Sequence, residues 1–221
     1  MSAPQSPVAP AVSGAWQPVA DGLLRGLNHT LSNRVSALSS YGAFVEAGEP
    51  IDADHLAALV TEVAQLERLL RLYRQLPISA DGREEPVRVS DALPDAADLL
   101  ASHLDLRTVS VRIEVADDAP PVLARLAALV QALVLVLHEA AEQALEAGAT
   151  SEVQVRVFGA GDRVMTAVVA SLAQGPASAD GLLAEAVAAL LPGATLEALD
   201  APSWGLVLAI PNLAAARKAR R

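Results

Sequence analysis

The sequence contains no cysteine and very few aromatic residues. The lack of cysteine excludes disulfide bonds, thiolate metal ligands and a cysteine nucleophile, and it is compatible with a reducing compartment. Aromatic residues make up 3% of a composition that is 52% hydrophobic, so Leu, Val and Ala have to fill the core. Such a core is typical of helices and strands packed in layers.

Basic residues are also scarce. Lys and Arg number 16 against 26 Asp and Glu, which gives a formal net charge of -10. General binding to nucleic acid or to an anionic membrane is not expected, because the average field of the chain repels both. The longest apolar run, 126–137, is interrupted by Gln131 and is too short to cross a bilayer, and the N-terminus lacks the basic-then-apolar pattern of a signal peptide. We therefore expect a cytoplasmic protein whose partners are other proteins.

Residues 22–46 carry apolar side chains at the three- and four-residue spacing of one helix face. The members of this face are Leu24, Leu27, Leu31, Val35, Leu38, Gly42 and Val45. A different face presents His29, Asn33, Ser36 and Ser40, again three or four residues apart. Small polar neighbours leave room for a second molecule to approach the imidazole, and we predict that His29 is the reactive residue. The alternative is that His29 is an ordinary surface histidine on a dimerising helix.

A second helix is predicted to begin at Asp52 or Asp54, either of which can cap it. Its apolar residues keep a near-heptad spacing and are Leu56, Leu59, Val63, Leu66, Leu70 and Tyr73. The two helices predict an antiparallel hairpin over residues 16–77, after a disordered tail at 1–15. Because one hairpin would leave much leucine exposed, we expect a homodimer in which two hairpins form a four-helix bundle.

A polar linker at 78–86 precedes a second domain, predicted at 87–212, in which strand and helix patterns alternate. The predicted order is a strand at 87–89, a helix capped by Ser90, a strand at 109–115, a helix at 122–147, a strand hairpin at 153–170, a helix near 180–191 and two closing strands. The fold class is therefore α+β, with a helical hairpin followed by an α/β sandwich in which helices cover one mixed sheet. Residues 213–221 form a basic tail.

The three histidines outside the first helix fall on separate predicted helices. They are His55, His103 and His138, and none has the spacing of a metal ligand pair. We expect structural roles for them and no metal site.

The segment His29-Thr30-Leu31-Ser32-Asn33-Arg34-Val35 resembles the phosphoacceptor box of sensor histidine kinases. In that box a histidine is followed by an acidic residue and, one turn later, by Asn or Thr. The element order after Pro86 resembles the Bergerat-type ATP-binding domain of the same kinases, and residues 138–144, HEAAEQA, resemble its asparagine box. The resemblance covers about residues 20–211 and includes a final glycine box near Gly181.

The sequence departs from the family pattern at the positions that would bind the nucleotide. Glu139 matches the glutamate of the asparagine box, but Gln143 stands where the family places the asparagine that binds magnesium. Ser171 lies where the family has the aspartate that recognises adenine, and the following loop has only Gly175 in place of several phosphate-cradling glycines. Each such buried contact is worth roughly 1–3 kcal/mol. We therefore predict that ATP does not bind and that no cofactor or metal is used.

Thr30 also replaces the acidic residue that, in the family, helps the histidine attack ATP as a general base. The hairpin and its histidine remain, which resembles histidine phosphotransferases built on degenerate kinase cores. The resemblance implies that His29 passes phosphoryl groups between the aspartates of response-regulator receiver domains. The residues expected to meet the receiver are Thr30, Ser32, Ser36 and Ser40.

Two alternatives stay open. The first is a response-regulator phosphatase, in which Asn33 orients a water molecule, or a non-catalytic adaptor that uses the same surface. The second, and the least favoured, is an active ATP-dependent histidine kinase.

Overall fold

A computed structural model describes residues 10–48, 50–78, 82–148, 152–174, 177, 181–199 and 203–220. Its helices are α1 (Pro10–Glu46), α2 (Ala53–Tyr73), α3 (Val89–Ser102), α4 (Leu126–Ala147), α5 (Gly181–Leu190) and α6 (Leu213–Ala219). Its strands are β1 (Glu85–Val87), β2 (Ser110–Val115), β3 (Val122–Ala124), β4 (Glu152–Ala160), β5 (Arg163–Gln174), β6 (Thr195–Ala198) and β7 (Ser203–Pro211). A helical hairpin is thus followed by a sheet covered by helices, and the predicted α+β class is confirmed.

The main sheet has five strands in the order β2-β4-β5-β7-β6. Strand β2 is parallel to β4, and the other neighbouring pairs are antiparallel. Alternate valines of β4, namely Val153, Val155 and Val157, are buried, whereas Gln154 and Arg156 between them are exposed. The alternation in the sequence therefore marks one face of the sheet as the core face.

Helix α4 is the central helix of the layer that covers this face. Of its 22 residues, 13 are buried, and it contacts α3, α5, β4 and β5. By length and composition alone α4 is apolar enough to cross a membrane, contrary to the expectation from the interrupted run at 126–137. Packing from several sides explains why its sequence is so uniformly apolar.

Helix α1 is longer than predicted, because it begins at Pro10 within the segment expected to be a tail. Proline is compatible with the first helical position, where its missing N–H has no partner to lose. Val12, Trp16, Val19 and Leu23 follow at spacings of four, three and four and are buried. Helix α1 as a whole contacts α3, α4 and α5. Only residues 1–9 of the expected tail lie outside the described residues.

The hairpin and the sheet domain share one hydrophobic core. Trp16 Nε1 donates a hydrogen bond of 2.9 Å to the carbonyl oxygen of Leu76, just after α2. From α4, Gln131 Nε2 donates to the carbonyl oxygens of Gln75 at 2.7 Å and Pro77 at 3.0 Å. Residues 75–77, which lead into the predicted linker, are therefore hydrogen-bonded both to α1 of the hairpin and to α4 of the sheet domain. These bonds fix the orientation of the hairpin relative to the sheet domain.

Ion pairs add to this attachment. Arg68 of α2 makes a bidentate pair with Asp98 of α3, and Arg71 lies 3.6 Å from Asp95. Exposed pairs contribute roughly 0–1 kcal/mol each, so they orient α2 on α3 more than they stabilise the fold.

Two predicted boundaries in the sheet domain are wrong. The strand expected at 87–89 is β1, and α3 begins at Val89 with Arg88, not Ser90, at its N-cap. The helix expected from residue 122 begins at Leu126 instead. Both differences arise because β1 pairs with β3 in a separate two-stranded sheet, a contact between segments far apart in the sequence.

The expected basic tail at 213–221 is also corrected, because α6 continues to Ala219. Its N-cap is Asn212, whose side chain accepts a hydrogen bond of 2.9 Å from the backbone N–H of Ala215. Arg220 pairs with Glu84. Part of the basic charge is thus neutralised within the chain.

Helix α1 meets the end of α3 at two glycines. A Cβ atom on Gly26 would lie 1.6 Å from the carbonyl oxygen of Ser102, and one on Gly22 would lie 2.0 Å from His103 Nε2. A backbone oxygen cannot move aside as a flexible side chain can. Gly42, further along the same helix, has no neighbouring atom within 4 Å of such a Cβ.

We expect Gly26→Ala to destabilise the protein by about 1–3 kcal/mol, because the added methyl group overlaps the Ser102 carbonyl. Gly42→Ala is the matched control and should stabilise the protein by about 0.5–1 kcal/mol, since alanine favours the helix and nothing obstructs it. Urea unfolding at one protein concentration measures both. Equal effects of the two substitutions would contradict the packing of α1 on α3.

Candidate functional site

The predicted reactive residue, His29, lies on an exposed face of α1, three residues after Gly26. The residues of this phosphoacceptor face, namely His29, Ser32, Asn33, Ser36 and Ser40, are all exposed, and Thr30 is half-buried beside them. The structure therefore brings the residues singled out in α1 together on one side of one helix. It does so just beyond the point where α1 leaves the sheet domain.

Asn33 is the immediate neighbour of the imidazole. Its side-chain nitrogen Nδ2 lies 3.3 Å from His29 Nε2, across one turn of the helix. The amide N–H of Asn33 donates to Nε2 in the imidazole tautomer that carries its proton on Nδ1. Nε2 is the ring nitrogen farther from the backbone, so the amide of Asn33 is placed to orient the ring or a water molecule beside it.

The hydroxyl groups of the phosphoacceptor face bond back to their own helix. Each donates to the carbonyl oxygen four residues earlier: Thr30 to Gly26 at 3.0 Å, Ser32 to Asn28 at 2.9 Å, Ser36 to Ser32 at 2.9 Å and Ser40 to Ser36 at 3.0 Å. Serine and threonine commonly make this bond within helices. The face consequently consists of short side chains without charge, which leaves space around His29.

Two contacts with α2 hold the helix on either side of His29. The hydroxyl of Tyr73 donates a hydrogen bond of 2.8 Å to Asn28 Oδ1, and burial raises the pKa of that hydroxyl. Arg34 pairs with both carboxylate oxygens of Glu62, at 2.8 and 3.0 Å. Sequence patterns gave no signal for these pairs, which require the hairpin to be formed. They fix the backbone that carries the imidazole.

The residues that correspond to nucleotide-binding positions of the resembled family are more dispersed. Glu139 and Gln143 are half-buried on the C-terminal half of α4, Ser171 is half-buried in β5, and Gly181 is the exposed first residue of α5. Gly175 lies outside the described residues.

Five cavities formed by the described residues lie on the outer face of the sheet, around α6, beside Pro77, Ile78, Gly82 and Arg83, and at the hairpin tip. Glu139, Gln143 and Ser171 line none of these five. Within the described part of the chain, no group of three or more His, Asp and Glu residues could hold a metal ion.

A pair of histidines, His103 buried and His138 half-buried, lies beneath α1, although the sequence suggested separate positions. The rings of His103 and His138 are 5.1 Å apart in an edge-on contact, and His103 Nδ1 is buried without a hydrogen-bond partner among the described residues. Burial, with a smaller contribution from His103, lowers the pKa of His138 to about 4. Burial also lowers the pKa of His103. Both rings are therefore neutral at pH 7.

Glu142 lies beside this pair, with a carboxylate oxygen 3.5 Å from His138 Nδ1. Burial raises the pKa of Glu142, and the neighbouring carboxyl groups of Glu139 and Glu146 add to the shift. The contact does not keep His138 charged, because the burial of the ring outweighs a partner that is itself half exposed. This part of α4 disfavours charge, and additional negative charge most of all.

No protein-family model and no curated protein matches the sequence. Histidine kinases are among the solved structures similar to this chain. The histidine kinase AdeS of Acinetobacter baumannii has 14% identity and a TM-score of 0.46, over 84% of this chain and 98% of that one. The mycobacterial sensor histidine kinase MprB has 15% identity and a TM-score of 0.43, over 58% and 97%.

A third similar structure is the histidine kinase ThkA in complex with the response regulator protein TrrA. It has 12% identity and a TM-score of 0.43, over 84% of this chain and 59% of that one. Likenesses this distant describe what the chain is similar to and carry no inference about its activity.

Lowering the pH should reduce the free energy of unfolding, because the folded chain holds His138 in its neutral form. The pKa of this group is 6.5 in the unfolded chain and about 4 in the folded one, so the unfolded state binds more protons between these values. The free energy of unfolding should therefore fall as the pH drops, by about 2 kcal/mol from this group between pH 7 and pH 5. Urea unfolding at the two pH values measures the change.

The variant His138→Gln should lose that part of the pH dependence, because its side chain does not titrate. His29→Gln, which removes an exposed histidine, is the control and should keep the dependence of the wild type. An unchanged dependence in His138→Gln would show that the ring is not buried as described.

Proposed function

We propose that the chain is a histidine phosphotransferase of a two-component phosphorelay. In this proposal His29 accepts a phosphoryl group from the aspartate of one response-regulator receiver domain and passes it to another, in the cytoplasm and without ATP. The observation that carries the proposal is the exposed imidazole on a face of short, uncharged side chains, held by a helix anchored on both sides. A receiver domain can approach such a face closely.

The chemistry needs only a neutral imidazole. One ring nitrogen attacks the phosphorus of the aspartyl phosphate, so that a P–N bond forms as the P–O bond to the aspartate breaks. The carboxylate leaves with the electrons of that bond, and the proton on the other ring nitrogen passes to water. The reverse reaction delivers the phosphoryl group to a second receiver. Because the donor is an activated acyl phosphate, no ATP is consumed.

The surroundings of α4 favour this proposal over an ATP-dependent kinase. Gln143 and Ser171 lack the side chains that the resembled family uses for magnesium and adenine. Helix α1 also packs over α3, α4 and α5.

A phosphatase is the second candidate, and one observation favours it. The side-chain nitrogen of Asn33 lies 3.3 Å from His29 Nε2, so the two groups are able to hold one water molecule against an aspartyl phosphate. In that case the histidine would act without becoming phosphorylated. The two candidates differ in whether a phosphohistidine forms.

We expect His29→Gln to abolish phosphoryl transfer between receiver domains, since glutamine provides no nucleophile. Asn33→Ala should retain transfer, because the nucleophile remains. The measurement incubates the protein with a receiver domain charged with labelled phosphate, and separately with labelled ATP, and searches for acid-labile, base-stable label. Label from the receiver alone is the expected result.

Two results would change the assignment. Label from ATP in the wild type would restore the kinase hypothesis. Faster receiver dephosphorylation without any phosphohistidine, lost in Asn33→Ala, would replace transfer by the phosphatase function.

The proposal includes a homodimer. Eight of the 12 large hydrophobic side chains exposed among the described residues lie in the hairpin and its connecting turn, namely Val35, Phe44, Val45, Ile51, Leu56, Val60, Val63 and Leu70. On α2 they follow a stripe at 56, 60, 63 and 70, the spacing of a helix–helix seam. A stripe of this length is typical of a surface that another helix covers.

We expect the protein to have twice the chain mass of 22.8 kDa in solution and Val60→Asp to convert it to a monomer. Val60 is 62% exposed and lies within the stripe. Thr61→Asp introduces the same charge on a side of α2 that faces neither the stripe nor α1, and it should leave the mass unchanged. Light scattering at micromolar concentration measures both, and a monomeric wild type would contradict the bundle.

A further inference from the structure

The outer face of the five-stranded sheet, opposite to its core face, contains a cavity of about 340 Å³. Its walls come from β2, β4 and β5 and from Leu199, which follows β6. Pockets that hold small molecules in proteins have volumes of roughly 300–1,000 Å³ and are lined mainly by apolar side chains with a few polar groups. The cavity therefore has the size of a small-molecule site, and the sheet separates it from α4.

The pairing of the strands explains why this face is hollow. Arg156 of β4 stands directly opposite Ala167 of β5, so a long side chain lies beside a short one. Gln154 faces Val169 in the same way, and Val169 pairs in turn with Gly205 of β7, which has no side chain. Residues that pair directly across strands point to the same face of the sheet. The cavity consequently has a low, apolar floor over β5 and β7 and a wall of long side chains along β4.

Leu199 closes the far end of this floor. A Cβ atom on Gly205 would lie 3.1 Å from Leu199 Cδ2, so the leucine packs against the bare backbone of β7. The backbone N–H of Leu199 donates a hydrogen bond of 2.8 Å to the carbonyl oxygen of Gly205, which fixes its position. Neighbouring strands are about 4.8 Å apart, so the floor extends for about 10 Å from β4 to β7 and about 14 Å from β2 to β7. An extended apolar chain of that length fits between the charged strands and Leu199.

The opposite end of the cavity, at β2 and β4, is positively charged. Arg156 Nη2 lies 3.0 Å from Glu114 Oε2, and Arg112 Nε lies 3.6 Å from Glu114 Oε1. All three side chains are exposed and line the cavity, so two arginines share one carboxylate. Glu152 and Glu197, which point to the same face of the sheet, lie outside the lining. Two positive charges against one negative charge leave the lining positive, although the chain as a whole carries -10.

We propose that this cavity binds an aliphatic carboxylate of medium chain length. Its carboxylate pairs with Arg112 and Arg156, because the guanidinium fork matches the geometry of a carboxylate and one glutamate leaves N–H donors over. Its apolar chain covers Ala167 and Val169 as far as Leu199, which removes both surfaces from water. A protein partner would need about 800 Å² of surface, whereas a concave site of this size encloses a small molecule. The site does not depend on the proposed function.

The test is a calorimetric titration of the full chain with two probes, decanoate and decylammonium. The probes share one alkyl chain and carry opposite charges, so the comparison separates the role of the arginines from that of the apolar floor. We expect decanoate to bind saturably, with one molecule per chain. Decylammonium should bind at least about tenfold more weakly, because its charge meets the arginines.

Three variants locate the site. Arg156→Gln should weaken decanoate binding by about tenfold, since it removes a charged partner of the carboxylate. Arg217→Gln is the matched control, because Arg217 is an exposed arginine on α6 outside the cavity, and it should leave binding unchanged. Ala167→Leu fills the floor without altering any charge and should also weaken binding by about tenfold. Urea unfolding of each variant confirms that it is folded.

Absence of saturable decanoate binding by the wild type would overturn the proposal. Equal binding of decylammonium would overturn the carboxylate as the ligand, and with it the role of the arginines. Wild-type affinity for decanoate in either Arg156→Gln or Ala167→Leu would show that the chain lies on another apolar surface, such as the hairpin stripe, and would also overturn the site.

Discussion

The close approach of α1 to the end of α3, at Gly22 and Gly26, is the contact on which the rest of the structure depends. A side chain at Gly26 would overlap the Ser102 carbonyl, so the two backbones meet directly. This contact seats the first half of α1 on the helices of the sheet domain and fixes the direction in which the second half leaves. His29 is the first functional candidate beyond that point, and its position relative to the sheet domain is consequently set by two glycines.

The two halves of α1 bury their apolar residues in different ways. The first half places Val12, Trp16 and Leu23 in the core of its own chain. The second half pairs with α2 but leaves Val35 and Val45 about half exposed. A single helix thus stabilises the monomer at one end and presents an apolar surface at the other. His29 lies at the boundary, where the backbone is rigid and the surface is still open.

The same packing accounts for the character of the layer beneath α1. Taking His103 and His138 out of water favours their neutral forms, and the carboxyl groups of Glu139, Glu142 and Glu146 make the surroundings unfavourable for a further anion. A core of this kind stabilises a rigid scaffold. In the proposed function, reactivity is left to the exposed imidazole of His29, which uses a phosphoryl donor that another protein has already activated.

The sequence by itself determined the features that depend on local periodicity. The helical spacing placed His29, Asn33, Ser36 and Ser40 on one face, Asp52 was one of two predicted caps of α2, and the alternating valines marked the core face of the sheet. Only the tertiary structure decided the helical start at Pro10, the pairing of β1 with β3, and the contact between His103 and His138. The reason is that these features arise from contacts between segments far apart in the chain, whose energies no local pattern of residues contains.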